Sequence, residues 1–437
     1  MEKVVPKIMP GFMELLPEDQ ILFNKMYDTI RNVYERFGYL PLDTPILEYS
    51  NILLAKAGGE TEKQIYRFNK GDTDISMRFD LTVPLARYVS LRQNDLVFPF
   101  KRYQMGKVYR GERPQRGRFR EFYQCDIDVI GENLSPAYDA EIPTVIFNLF
   151  KELDFGKFTI RINNRKVLNG FFDELDIDEP SEVLKIIDKL EKIGIEEVEK
   201  ELLGLGITND KVSKILEFVN INGSNDDVIS SLYNLNINNE LFNEGLGELK
   251  ELIKMIRLFG VEEDYFTIDL TIARGLDYYT GTVYETRLDD YPSLGSVCSG
   301  GRYDELTKYY TDTNLQGIGI SIGLTRLFYQ LKEAGIVSSN EKSLMKVLVV
   351  PFSKENLDYG IKISKELRNS NIICDIYYEE KGLKAKMKYA NRLSIPYVCI
   401  LGEDEEKQNK VTLKDMESGE QELISVDEMI KKIKESN

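Results

Sequence analysis

Histidine is absent from all 437 residues. That removes imidazole as general base, metal ligand or pH switch, so any chemistry must use Arg, Asp, Glu, Tyr, backbone groups or the substrate itself. Cysteine is scarce. Cys125, Cys298, Cys374 and Cys399 are scattered with no C-x-x-C pair, so no zinc site is expected and the thiols read as reduced, in a cytoplasmic protein. No apolar run approaches the roughly 18 residues of a membrane span. The opening MEKVVPKIMPGFMELLPED does not read as a secretory signal. Nothing reads G-x-x-x-x-G-K-[ST] or fits a Gly-rich dinucleotide loop.

What is present is a globular composition with an uneven charge. The chain carries a net charge of −16, yet residues 171–260 hold 20 acidic and 9 basic side chains, a net of −11. The rest of the chain is therefore close to neutral, and a polyanionic partner is not excluded, because local patches set the field it meets. One such patch is 101–131, KRYQMGKVYRGERPQRGRFREFYQCDIDVIG. Basic residues alternate there with Tyr, Phe, Val and Met and are interrupted by GERPQRG, the pattern of two strands joined by a turn-rich loop. Guanidiniums on a rigid sheet suit phosphate oxygens; a salt-bridged surface hairpin would look the same.

Three further segments decide between these: ARGLDYYTGTVYE (273–285), GSVCSGGRYDELTKYY (295–310) and GIGISIGLTRLF (317–328). Together with 101–131 they resemble the histidyl-tRNA synthetase family of class II aminoacyl-tRNA synthetases, from about residue 3 to the C-terminus. The first segment is similar to class II motif 2, the last to motif 3, and the middle two to the family's histidine-specific signatures. The regulatory subunit of ATP phosphoribosyltransferase resembles the same fold. It typically lacks the anticodon domain and the full arginine set, whereas this chain keeps Arg110, Arg118, Arg274 and Arg326.

The resemblance implies a homodimeric histidine–tRNA ligase that uses ATP with Mg²⁺, L-histidine and the cognate histidine tRNA, with no membrane association. Arg274, Arg110 and Gln124 would be catalytic. Histidine would be held by Asp80, Leu81, Thr82, Gln124, Asp128, Arg274, Tyr278 and Tyr279. ATP would be held by Arg110, Glu112, Arg118, Phe122 and Arg326, the last two sandwiching adenine. The transfer step would use the adenylate's own phosphate oxygen as base, supported by Gln124. Asp80 and Asp128 stand where bacterial members usually carry Glu, and Thr325 replaces a frequent Glu before the motif 3 arginine. tRNA contacts are expected from Gln115 and Arg116 in the motif 2 loop. A second set is expected from Lys384, Lys388 and Arg392, which recur at i, i+4 and i+8 as a one-sided basic stripe.

The expected fold class is α+β: a class II antiparallel-sheet catalytic domain (1–164 and 265–332) with an all-helical insertion (165–264). A linker (333–345) and a C-terminal α/β anticodon-binding domain (346–437) complete it. The insertion is read from apolar residues at i, i+3, i+4, i+7, as in Val183, Ile186, Ile187 and Leu190. Helices are expected over 19–37, near 82–92, 354–369 and 383–393, with a final hairpin turning at Ser418 and Gly419. Pro45 resembles the motif 1 proline of a dimer interface.

Overall fold

The computed structural model describes residues 3–55, 60–113, 116–272, 279–304 and 306–435. The chain divides into two units, Met1–Met13 with Tyr27–Ile336, and Glu14–Met26 with Val337–Asn437.

The first unit is built on an eight-stranded sheet. Its order is β1 (Leu40–Pro41), β5 (Phe100–Tyr109), β6 (Glu121–Gly131), β11 (Gln316–Ile322), β10 (Ser296–Tyr303), β9 (Thr282–Leu288), β7 (Phe158–Asn164), β8 (Phe266–Ile268). The edge pairs β1–β5 and β7–β8 are parallel and every other neighbour is antiparallel. A smaller antiparallel sheet, β2 (Leu47–Tyr49), β4 (Thr73–Met77) and β3 (Arg67–Lys70), belongs to the same unit. The basic ribbon of the sequence is β5 and β6, paired over ten residues from Phe100–Ile130 to Tyr109–Glu121.

Alternation explains why β6 can carry a site. Side chains of a strand point to opposite faces, so apolar Cys125, Ile127 and Val129 take one face and polar Gln124, Asp126 and Asp128 the other. All six are buried. Strand β11 lies beside β6 in a register that sets Gly319 opposite Asp128 and Ser321 opposite Asp126. A Cβ at Gly319 would run into the Asp128 carboxylate and the Ile127 carbonyl. Only a glycine leaves room for that carboxylate to lie across the sheet.

Residues 165–258 are helical between short breaks, from Arg165–Glu174 to Glu240–Leu258. The breaks are the capping residues of the sequence. Ser224 and Asp227 of NGSNDD form a reciprocal capping box, and Asn164 and Asn239 accept from the first turns of their helices. The first and last of these helices cross where Gly170 faces the Phe242 backbone and Gly245 faces Val167, too close for a Cβ. The sequence reading offered nothing for 132–164, which holds the helix Ala137–Leu153 and β7. That helix carries Pro143 within it, a residue usually read as a helix breaker.

The second unit has a five-stranded sheet ordered β13 (Cys374–Ile376), β12 (Val347–Pro351), β14 (Tyr397–Leu401), β15 (Val411–Asp415), β16 (Gln421–Ile424). The first three strands are parallel to one another and the last two antiparallel. β12 reads as a continuous apolar run because both its faces are covered. Val347 and Val349 pack in one cluster and Leu348 and Val350 in another. The expected helices appear as Leu357–Asn369 and Leu383–Arg392, and the hairpin β15–β16 precedes the helix Val426–Glu435. Among the described residues no helix is long and apolar enough to cross a membrane.

Candidate active site

A cavity of about 880 Å³ opens on the polar face of β6. Its lining brings together Asp80, Thr82, Arg110, Glu112, Arg116, Arg118, Phe122, Gln124, Asp128, Tyr279 and Arg326, residues drawn from four stretches of chain, 80–82, 110–128, 279 and 326. Leu81 is not among them. Its side chain is fully buried, and its carbonyl accepts weakly from Arg102. Arg274, Tyr278 and Gln115 lie outside the described residues.

Each side chain has a local reason for its place. Asp80 Oδ1 accepts from the Val83 amide at 3.0 Å and so caps the helix Thr82–Leu91. Burial holds its carboxyl above the usual range. Arg110 follows β5. Its guanidinium lies 4.4 Å from the Phe79 ring centre and 5.1 Å from that of Phe122, and its Nε donates to the Phe79 carbonyl. Glu112 and Arg118, on either side of the ribbon loop, form an ion pair. Arg116 is held bidentately by Glu333 at 2.9 Å. Arg326 donates to the Leu294 carbonyl at 3.3 Å. Thr325, where a Glu was the frequent alternative, accepts from the Tyr123 amide at 2.8 Å and ties the helix Leu324–Glu333 to β6.

The floor holds the densest charge. Arg102, which the sequence grouped with phosphate-facing guanidiniums, is fully buried instead and pairs with Asp128 at 2.6 Å. The correction has a physical cause: a carboxylate placed on an interior sheet face requires a counter-ion there. Tyr303 completes the group by donating to Asp128 at 2.7 Å. Its ring lies across Gly317, where a Cβ would collide with it. Asp126 lies beside them with one oxygen buried and unpartnered. Burial pushes its carboxyl up to about 7, with Arg102 opposing and Asp128 adding to the rise. Asp128 is pushed up to about 6 by burial against the pull of Arg102 and the Tyr303 hydroxyl. The guanidinium is in direct contact with Asp128 and opposes the rise that burial causes there.

Gln124 donates to the Ser321 hydroxyl at 2.7 Å, while its carbonyl oxygen is buried without a partner. The cavity thus presents unpaired acceptors on its floor and arginines near the ribbon loop, the arrangement for a small cationic or hydrogen-bond-donating ligand beside a polyanion. The sequence reading missed Asp126 and Tyr303. Asp126 was recoverable, since it lies between Gln124 and Asp128 on the same alternating face. Tyr303 was quoted inside SGGRYD, but nothing local shows that its hydroxyl reaches another strand's aspartate. Among the described residues no group of three or more His, Cys, Asp or Glu is arranged to hold a metal ion.

Comparison with known proteins finds likeness over nearly the whole chain. Residues 11–327 match the family model described as histidyl-tRNA synthetase, and residues 346–436 match the anticodon binding domain. A histidine–tRNA ligase of Clostridium tetani is 59% identical over 433 residues, covering 99% of this chain and 98% of that protein. One of Finegoldia magna is 47% identical, covering 99% and 100%. The crystal structure of histidyl-tRNA synthetase from Nostoc superposes with a TM-score of 0.93 at 43% identity, covering all of both chains. A structure described as an ATP phosphoribosyltransferase regulatory subunit/histidyl-tRNA synthetase from Bacillus halodurans shares the fold, with a TM-score of 0.75 at 20% identity.

Proposed function

The chain belongs to the histidyl-tRNA synthetase family, and from that premise we propose how its pocket divides the work of the reaction. The protein is an aminoacyl-tRNA synthetase of the class II fold. It joins L-histidine to ATP as histidyl-adenylate with release of pyrophosphate, then passes the histidyl group to the 3′ end of its tRNA. Its relatives are ligases at up to 59% identity over the full chain, which favours catalysis over the regulatory-subunit reading.

In the first step a histidine carboxylate oxygen attacks the α-phosphorus of ATP, and the bond to the bridging oxygen breaks, that oxygen leaving with pyrophosphate. Two anions must meet, so the site needs fixed positive charge more than it needs a base. Arg110 holds the α-phosphate and the carboxylate, and Arg274 is assigned as the second guanidinium for the α-phosphate. Arg118 takes the terminal phosphate, Glu112 accepts from the adenine amino group, and Phe122 with Arg326 encloses the adenine ring. Asp80 and Thr82, with the Leu81 backbone, receive the α-amino group. Asp128 and Tyr279, with Tyr278, bracket the imidazole nitrogens. A pocket built to satisfy those polar atoms rejects apolar analogues that would leave its groups unpaired.

In the second step the tRNA ribose hydroxyl attacks the histidyl carbonyl and AMP leaves. The hydroxyl proton passes to the departing phosphate, with Gln124 orienting the group. Mg²⁺ would neutralise charge on ATP. The described lining has no cluster of carboxylates arranged to hold it, which suits an ion that would be carried on phosphate oxygens and water. We assign 165–264 as an insertion into the catalytic domain (1–164 and 265–332), with a linker at 333–345. Residues 346–437 form the anticodon-binding domain, whose exposed stripe Lys384, Lys388 and Arg392 contacts tRNA phosphates. Gln115 and Arg116 are assigned to contacts with the acceptor end of the tRNA. The enzyme works as a cytoplasmic homodimer.

The observation that carries this assignment is the convergence of Asp80, Arg110, Gln124, Asp128 and Arg326 on one cavity. Histidine-dependent ATP–pyrophosphate exchange, run against a panel of other amino acids, tests it. Exchange with histidine alone, lost in Arg274→Ala, is expected; exchange retained in that variant removes Arg274 from the mechanism.

A further inference from the structure

The helical stretch 165–258 contributes a single residue to the cavity lining, Lys192, on the short helix Leu190–Ile193. Its surroundings make it unusual. Acidic residues outnumber basic ones 20 to 9 between 171 and 260, so each cation there has carboxylates near at hand. Six of the other eight basic side chains are ion-paired. Lys211 donates to the Asp176 carbonyl, and Lys250 lies over the Tyr233 ring. Among the described residues the Lys192 ammonium has no such partner, and it is the one cation of the nine that meets the cavity.

We propose that Lys192 is a further substrate-binding residue, supplied by the helical stretch to hold the outer phosphates of ATP and the pyrophosphate they become. The inference rests on the reading of this cavity as the ATP site. The arginines around it are already engaged: Arg110 against Phe79 and Phe122, Arg116 with Glu333, Arg118 with Glu112. A triphosphate beside a carboxylate calls for more positive charge than those arginines offer undivided. An ammonium on a flexible stem meets phosphate as a mobile point charge. Its place on the cavity wall favours a ligand that enters the cavity whole over a nucleic-acid backbone passing outside. The acidic surroundings of the stretch also discourage a long phosphate track.

Lys192→Ala, Lys192→Arg and the control Lys200→Ala separate the alternatives by exchange kinetics with ATP, pyrophosphate and histidine varied in turn. Lys192→Ala should raise the KM for ATP and for pyrophosphate about tenfold, the scale of one charge-assisted contact. The KM for histidine and the single-turnover transfer from preformed adenylate to tRNA should stay unchanged. Lys192→Arg should restore most of the loss, and Lys200→Ala should match the parent. Unchanged ATP and pyrophosphate constants in Lys192→Ala would overturn the inference alone. A defect confined to transfer or to the KM for tRNA would overturn it in favour of a tRNA phosphate contact. Absence of histidine-dependent exchange in the unmodified protein would instead overturn the reading of the cavity itself.

Discussion

At the scale of single residues, the floor of the cavity is governed by how a charge is kept inside a sheet. Arg102 is fully buried and pairs with Asp128 at 2.6 Å, with Tyr303 on the other carboxylate oxygen. Removing one partner of such a pair costs more than the pair is worth, because the other charge is left in a low-dielectric site. Arg102→Met should therefore lower stability by about 3–5 kcal/mol at pH 8, and by less at pH 5, where Asp128 can take up a proton; calorimetric melting at the two values reads this. Asp126 gives a second pH effect. Its carboxyl is raised from an ordinary 3.8 to about 7, so the folded protein binds a proton there that the unfolded chain has released. The stability tied to that proton is whole below 3.8 and is lost as pH rises through about 7. Asp126→Asn should remove the loss, its melting temperature gaining on that of the parent as pH rises from 3.8 to about 7. A constant offset between the two would show that Asp126 titrates as it does in water.

At the scale of elements, strand alternation and helix pitch set what faces what. The helix Leu383–Arg392 shows this outside the cavity: Lys384, Lys388 and Arg392 are exposed together while Lys386 turns inward, its ammonium on the Pro351 carbonyl at 2.7 Å. A helix repeats every 3.6 residues, so i, i+4 and i+8 share a face. Replacing the three exposed cations with Ala should leave ATP–pyrophosphate exchange intact and weaken tRNA binding. The salt dependence should flatten too, because fewer counterions are released on binding. A binding isotherm repeated across salt concentrations measures both. An unchanged slope would place the anticodon contact elsewhere on the domain.

At the scale of the whole molecule, the unit that bears the cavity also exposes apolar residues beside its β1 edge and the small sheet. Leu40 is 59% exposed, Leu47 48% and Tyr49 63%. These flank Pro45, the place where the proposed dimer would bury apolar surface. Light scattering should return twice the 50.4 kDa of one chain, and Leu47→Glu should shift it to the single mass. A monomer from the unmodified protein would remove the dimer from the proposal.

Much of this architecture was legible because it depends on neighbours in sequence. Helical stripes, the β5–β6 ribbon, the capping breaks and the shared face of Gln124 and Asp128 follow from periods of 3.6 and 2. The order of four motifs along the chain was enough to point to the family. What sequence could not carry was every fact that depends on which strand lies beside which. Arg102 reads as one more phosphate-binding arginine until burial sets it against Asp128. Tyr303 is a tyrosine in a glycine-rich strand until β11 brings Gly317 beneath its ring. Lys192 is a lysine in an acidic helical stretch until the fold carries it to the cavity wall. In each case the partner is remote in the chain, and charge pairing, burial and close approach are decided by distance in space.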